Sequence, residues 1–293
     1  MASLKEVKTR IASVQSTRKI TSAMKMVASA KLHKAQEAIE HRLPYQQSLN
    51  RILTHFLGAD LPVESPFVAV RPVKRVAVVV LSSNSSLCGG FNANVLRMLG
   101  QTLGEYRTLG QDNLLLFPVG RKVEEAVKKM GFVPQGSFQT LSDKPSYTQA
   151  AALAEELMRR FVAKEIDRIE LIYHHFKSTG VQLLLRETYL PIDLAKLQQQ
   201  QSADEGQRWV SDYLVEPSAE VLIAHLIPAV LCQKLFTAAV DSNTSEHAAR
   251  MLAMQIATDN ANELIQELTK QYNKTRQQTI TNELLDIMGG SMR

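Results

Sequence analysis

From Ser3 to about Leu57 apolar residues recur at helical spacing, with no glycine before Gly58 and Pro44 as the sole proline. Leu4, Val7, Ile11 and Val14 stand alternately three and four apart, the narrow stripe of a coiled-coil seam. The stripe then shifts through Ile20, Met24 and Val27 and resumes at Leu32, Ala35 and Ile39. Such a shift is expected of a helix whose packing partner changes along its length. Ala, Lys, Met, Gln and Leu dominate the segment, and all are good helix formers. At about 1.5 Å per residue the helix would approach about 80 Å, too long for an ordinary globular helix.

Pro62, Pro66 and Pro72 end this pattern. Arg75–Leu81 (RVAVVVL) is a β-branched apolar run, the pattern of a strand buried on both faces. The loop Ser82–Asn92 leads to a helix around Ala93–Leu103. Asn113–Val119 reads as a second strand, Arg121–Met130 as a helix and Tyr147–Lys164 as a longer amphipathic helix. Ile169–Phe176 and Val181–Tyr189 read as two strands joined through Ser178-Thr179-Gly180, a hairpin signal. Strands alternating with helices predict an α/β layer structure with a partly parallel sheet.

The polar run Gln198–Gly206 reads as a loop or linker. A second helical tract follows Pro217, from Ser218, a candidate N-cap with Glu220 in the first turn, to about Met288. Ala253, Ala257, Ala261, Leu264 and Leu268 mark its seam, and Ile280, Leu284 and Ile287 repeat the theme. Pro228 should bend the helix locally, and Gly289-Gly290 should stop it. The fold class is therefore α/β, with two very long terminal helices forming an antiparallel coiled coil around an inserted Rossmann-like α/β domain. The segments are a coiled-coil helix over 1–57, the α/β domain over 73–195, a linker over 196–217 and the second coiled-coil helix over 218–288.

Charge sharpens this picture. Residues 1–57 hold ten Lys and Arg against three Asp and Glu, a net of +7, whereas residues 218–287 hold five against eight, a net of −3. Opposite signs favour pairing of the two helices over self-association, modestly at physiological salt. The basic end fits a solvated helix face. A nucleic-acid reading is weakened because no aromatic interleaves with the basic residues between Lys5 and Lys34. The segment Val221–Cys232 is interrupted by His225 and Pro228 and falls well short of a membrane span. The N-terminus, opening on Lys5, Glu6 and Lys8, lacks the pattern of a secretory signal. Two cysteines, Cys88 and Cys232, fit a reducing compartment.

Motifs for chemistry are sparse. The loop Ser82–Gly90 is tempting as a phosphate cradle but matches neither the P-loop nor the G-x-G-x-x-G pattern, so a structural loop is expected. Cys88 has no histidine at a diagnostic position and reads as an inert buried thiol. His174 and His175 are neighbours on a strand and must point to opposite faces, which keeps them from sharing a metal. Met24, Met26, Met251, Met254 and Met288 suit seam packing, with a sliding contact against a partner as the alternative. The expectation is a chain with no cofactor, no metal and no catalytic residue.

The runs Arg10-Ile11-Ala12-Ser13-Val14 and Lys19-Ile20-Thr21-Ser22-Ala23-Met24-Lys25-Met26-Val27-Ala28 resemble the N-terminal helix of the gamma subunit of F-type ATP synthases. Near the other end, Ser245-Glu246, Ala249-Arg250-Met251 and Ala257-Thr258-Asp259-Asn260-Ala261 agree as well. So does Tyr272-Asn273-Lys274-Thr275-Arg276-Gln277, leading into Ile280-Thr281-Asn282-Glu283-Leu284, which is similar to the family signature. Leu87-Cys88-Gly89-Gly90-Phe91-Asn92 and Tyr213-Leu214-Val215-Glu216-Pro217 agree more weakly. Where the family usually reads Ser-Asp-basic-Gly ahead of Leu87, this chain has Ser83-Asn84-Ser85-Ser86. Its end has Gly290-Ser291 in place of Gly-Ala.

The resemblance implies a non-catalytic rotor shaft that couples proton flow to ATP synthesis. Its partners would be the alpha and beta subunits of the catalytic ring, the epsilon subunit and the ring of c subunits, with no nucleic acid. It would lie on the cytoplasmic face of a bacterial inner membrane, attached through the complex only. Met24 and Lys25 would approach an acidic loop of beta, and Arg276, Gln277, Thr281 and Glu283 would make polar catches to the ring. No regulatory cysteine pair of the chloroplast type is present, which implies no thiol control.

Overall fold

The computed structural model describes residues 3–40, 45, 48–49, 51–52, 65–193, 215–216 and 218–290. It divides into two compact units, one of residues 1–30 with 250–293 and one of residues 31–249. The run Gln198–Gly206, read as a linker, lies outside the described residues.

The first unit contains parts of two helices, α1 (Leu4–Glu40) and the 72-residue C-terminal helix Ala219–Gly290, which is α6 in chain order. Arg18 Nη1 donates to Asn262 Oδ1 at 3.3 Å, and the hydroxyls of Thr21 and Thr258 meet at 2.8 Å. One index rises as the other falls, so the helices run antiparallel. On each helix one series of buried and half-buried residues keeps heptad spacing, with further half-buried residues such as Ser22, Gln255 and Asn262 beside it. On α1 the series is Leu4, Val7, Ile11, Val14, Arg18, Thr21, Lys25 and Ala28, and on α6 Met254, Thr258, Ala261, Ile265, Leu268, Tyr272, Thr275 and Thr279.

This corrects the seam read from apolar residues alone. Ile20 and Val27, assigned to a shifted stripe, are 58% and 59% exposed, while the seam runs on unbroken through Arg18, Thr21 and Lys25. Ala253, Ala257 and Leu264 flank the α6 seam, half-buried, and Ile280, Leu284 and Ile287 are exposed. The methionines divide: Met254 is buried, Met24 and Met251 are half-buried, and Met26 and Met288 are exposed.

The second unit is built on a sheet of four strands: β1 (Val76–Leu81), β2 (Leu114–Val119), β3 (Arg168–Ser178) and β4 (Val181–Leu190). Their order is β2-β1-β3-β4, with β1 parallel to both neighbours and β4 antiparallel to β3. Every residue of β1 is buried, as its unbroken β-branched run requires. Val76, Val78 and Val80 face α2 (Phe91–Glu105) and α3 (Arg121–Lys129), in a core with Val95, Leu99, Val123 and Val127. Ala77, Val79 and Leu81 face the larger core. That core includes α4 (Gln139–Asp143), α5 (Tyr147–Val162) and the stretch of α6 from Ile223 to Val240. The short helix α4 has no counterpart in the sequence reading.

Helix α6 begins where expected, with Ser218 Oγ accepting the Val221 N–H at 3.4 Å. It runs through Pro228 as one element, and it continues through Gly289 to Gly290 rather than stopping before them. It contains a window with mean hydropathy 1.7, long and apolar enough for a bilayer by length and composition. Yet 56% of that window is buried inside the protein, as a core helix against a sheet would be. The apolar stretch is thus longer than Val221–Cys232 alone indicates.

Candidate functional site

In a doubly wound sheet, ligands bind beyond the carboxyl ends of the strands where the chain reverses its direction of winding. Here that point lies at the end of β1, which has β2 on one side and β3 on the other. The loop Ser82–Gly90 stands there, at the N-terminus of α3. The first N–H groups of such a helix form a ready anion site, but this one is satisfied from within. Arg121 N–H donates to Asn84 Oδ1 at 2.9 Å, Lys122 N–H to Ser83 O at 3.1 Å and Val123 N–H to Ser82 Oγ at 3.0 Å.

Asn84 also donates from Nδ2 to Gln139 O at 2.8 Å. It thereby uses both ends of its amide, which an ionised aspartate cannot do. Asn92 holds the loop from the other side, donating to Ser83 Oγ at 2.7 Å and accepting the Ser83 N–H at 3.1 Å. Ser82, Ser142, Ser242, Asn243 and Glu246 line the small cavity that is left beside Leu81 and Val119. Residues of α6 therefore wall the crevice where a nucleotide would lie. The loop is thus held on both sides by its own hydrogen bonds, and Cys88 is a buried free thiol within it.

A buried carboxylate steadies the same corner. Glu124 accepts from Lys128 Nζ at 2.7 Å, Ser137 Oγ at 2.8 Å and Gln139 Nε2 at 3.0 Å. These bonds, Lys128 foremost, hold its pKa down to about 2. Its stabilising contribution is complete above the unfolded value near 4.5 and is lost as pH falls towards about 2. Glu124→Gln is expected to lower stability at pH 7 by about 1.5–3 kcal/mol. In urea titrations the gap from wild type should then close as pH falls below 4.5. A gap that is constant down to pH 2 would assign the effect to packing alone.

His174 and His175 point to opposite faces, as the strand period dictates. His174 stacks on Phe91, with ring centroids 4.2 Å apart, and burial lowers its pKa to about 4. His175 instead meets Asp241 on α6, Nδ1 to Oδ2, at 2.6 Å.

The residues assigned to partner contact all lie on the helices of the first unit. Met24 and Lys25 are half-buried, Lys25 within the seam itself, whereas Arg276, Gln277, Thr281 and Glu283 are exposed. Thr281 Oγ1 bonds back to Gln277 O at 2.9 Å, which brings these two together on one face. The two groups of residues are far apart. By the antiparallel register Lys25 lies opposite about residue 254, so Arg276 is about 30 Å further along α6.

The same register places Leu4, the first residue of α1, opposite about residue 275. Helix α6 therefore overhangs the start of α1, and every residue from Thr281 to Met288 is exposed. Ile280, Leu284, Leu285, Ile287 and Met288 are accordingly exposed, beyond the last described residue of α1 that could face them. Sequence reasoning missed the polar seam residues Arg18, Thr21, Thr258 and Asn262. The available signal was the seven-residue repeat continued through polar positions.

A family model described as ATP synthase matches residues 3–292. Among curated proteins, the chain is 76% identical over 292 residues to an ATP synthase gamma chain of Bacteroides fragilis, covering 100% of both chains. It is 49% identical to that of Parabacteroides distasonis and 42% to that of Flavobacterium johnsoniae, covering 99% of the former and 98% of the latter. Among solved structures, the rotor of the Euglena gracilis mitochondrial ATP synthase aligns at a TM-score of 0.65 with 19% identity, over 94% of this chain and 98% of that one. The central stalk of the Tetrahymena thermophila mitochondrial ATP synthase aligns at 0.58 with 22% identity, over 81% of this chain and 99% of that one. At those identities the structures speak to the fold, and the curated relatives carry the assignment. The chain belongs to the ATP synthase gamma chain family.

Proposed function

We propose that this chain is the central rotor shaft of an F-type ATP synthase and contributes no catalytic residue of its own. The observation that carries the reading is the likeness to ATP synthase gamma chains from end to end. The geometry supports it in two ways. Ser242, Asn243 and Glu246 of α6 line the crevice a nucleotide would use. Among the described residues, Thr281 to Met288 of α6 are exposed and lie beyond the start of α1 by the antiparallel register.

In this reading the paired helices stand within a ring of alternating alpha and beta subunits, and the α/β unit meets epsilon and the c ring. Rotation of an asymmetric shaft changes which conformation each catalytic site favours, so affinity changes without chemistry in the shaft. Met24 and Lys25 face an acidic loop of beta, and Arg276, Gln277, Thr281 and Glu283 catch the ring. The complex sits on the cytoplasmic face of a bacterial inner membrane and holds this chain there.

Coexpression with the alpha and beta subunits of the same synthase provides the test. The chain is expected to copurify as a single copy per ring, and the purified chain alone to hydrolyse no ATP. Steady turnover by the isolated chain, abolished by a substitution within it, would overturn the non-catalytic assignment. Failure to bind the ring would overturn the shaft.

A further inference from the structure

Strand β3 is longer than its neighbour. Its pairing with β1 ends at Val80 opposite Ile172, yet β3 runs on to Ser178 beside β4. Beyond Ile172, the backbone groups on the edge away from β4 have lost their strand partner. An orphaned edge group is destabilising if buried unsatisfied. Helix α6 supplies the missing partners with side chains. Asp241 Oδ1 accepts the Phe176 N–H at 2.8 Å, and Ser245 Oγ donates to His174 O at 3.3 Å.

Residues 174 and 176 are two apart and present their backbone to the same edge. Asp241 and Ser245 are four apart and share a face of α6. A helix face is thus matched to a strand edge. Asp241 is almost wholly buried and also binds His175 Nδ1 at 2.6 Å, so its carboxylate holds β3 by backbone and side chain together. Further ties run the same way: Tyr189 Oη donates to Leu231 O at 2.8 Å, and Asn243 Nδ2 donates to Ser142 O at 2.8 Å.

We propose that Asp241 is a positioning residue that fixes the angle of α6 on the sheet and makes this junction stiff to torque. The apolar packing of Ile223–Val240 supplies affinity, but apolar contact is non-directional and tolerates sliding. Hydrogen bonds weaken steeply with distance and angle and resist it. Placing two of them on one strand edge converts an adhesive contact into an angular lock. The consequence for rotation rests on the shaft reading above, whereas the lock itself does not.

Two measurements separate them. In the full chain, Asp241→Ala should speed exchange of the Phe176 amide hydrogen about 10–100-fold, the loss of a bond to a charged acceptor. In the complex assembled with alpha and beta, a rod is attached through a cysteine introduced at exposed Lys129, with the shaft held in a catalytic dwell. The angular variance of the rod should widen by up to about twofold, since one of the two edge bonds and the His175 bond are gone, the Tyr189 and Asn243 ties remain, and variance varies inversely with stiffness. Asp241→Asn, which keeps an acceptor for Phe176, should fall between the two. If Asp241→Ala does not assemble, Ser245→Ala removes the other edge bond with the loss of one hydroxyl and should widen the variance similarly. Wild-type exchange at Phe176, or wild-type variance in a turning complex, overturns the lock. A wild-type rod that never turns overturns the shaft reading and leaves the exchange result to decide the lock.

Discussion

Replacing Arg276 by alanine together with Gln277 by leucine is expected to cut ATP hydrolysis and ATP-driven proton pumping by the assembled complex at least about tenfold. The estimate combines one charge-assisted bond of about 1.5–3 kcal/mol with one neutral bond of about 1 kcal/mol, where 1.4 kcal/mol is about tenfold. Both side chains are exposed on the last turns of α6, about where the register with α1 ends, and the Thr281 hydroxyl is bonded back to the Gln277 carbonyl. They contribute little to the seam, whose deepest α6 residues are Met254, Ala261 and Leu268. The folded chain should therefore be unaffected: its circular dichroism and urea midpoint should match wild type. Activities would be measured in membranes alongside the amount of assembled complex. Wild-type rates at normal assembly would sink the catch. A loss matched by an equal loss of complex would assign the two residues to assembly instead.

Gly120→Ala is expected to destabilise the chain by at least about 3 kcal/mol, enough to threaten folding at growth temperature. Gly120 has φ +106°, and a Cβ there would lie 2.3 Å from Ser82 O and 2.9 Å from Ser82 Oγ. Backbone oxygen cannot step aside as a side chain can. Relief requires moving the start of α3 away from β1, which breaks the bonds from Arg121, Lys122 and Val123 to Asn84, Ser83 and Ser82. The conformational penalty is about 1–2 kcal/mol, and each orphaned donor adds about 1–3 kcal/mol. Equilibrium unfolding in urea reads the result directly. A loss below about 1 kcal/mol would show that the corner yields easily and that the Ser82–Asn84 loop does not pin α3.

The sequence fell short in instructive places. Apolar residues alone trace a stripe that shifts to Ile20 and Val27, because Arg18, Thr21 and Lys25 interrupt the apolar pattern of the true seam. Two of those polar residues, Arg18 and Thr21, stand in the seam with partners on α6 in Asn262 and Thr258. Asn84, which stands where the family usually has aspartate, carried no readable meaning until Gln139 O and the Arg121 N–H stood on either side of it. Nothing about Asp241 in sequence distinguishes it from a solvated helix carboxylate.

Periodicity alone determined the four strands with near-exact limits and the two long helices, because side-chain burial on a helix face or a pleated strand is a local repeat; most of the first helix's expected span beyond Glu40 lies outside the described residues. The strand run RVAVVVL could be read because burial on both faces leaves no polar position to confuse it. The missing motifs likewise pointed away from a phosphate site, since such sites need a fixed local spelling. Only the tertiary structure decided strand order, the alignment of α1 against α6, the overhang of α6 and the pairing of Asp241 with the edge of β3. Each of these joins residues tens to hundreds of positions apart, and hydrogen-bond geometry, which acts over about 3 Å, leaves no trace in the spacing of residues along a chain.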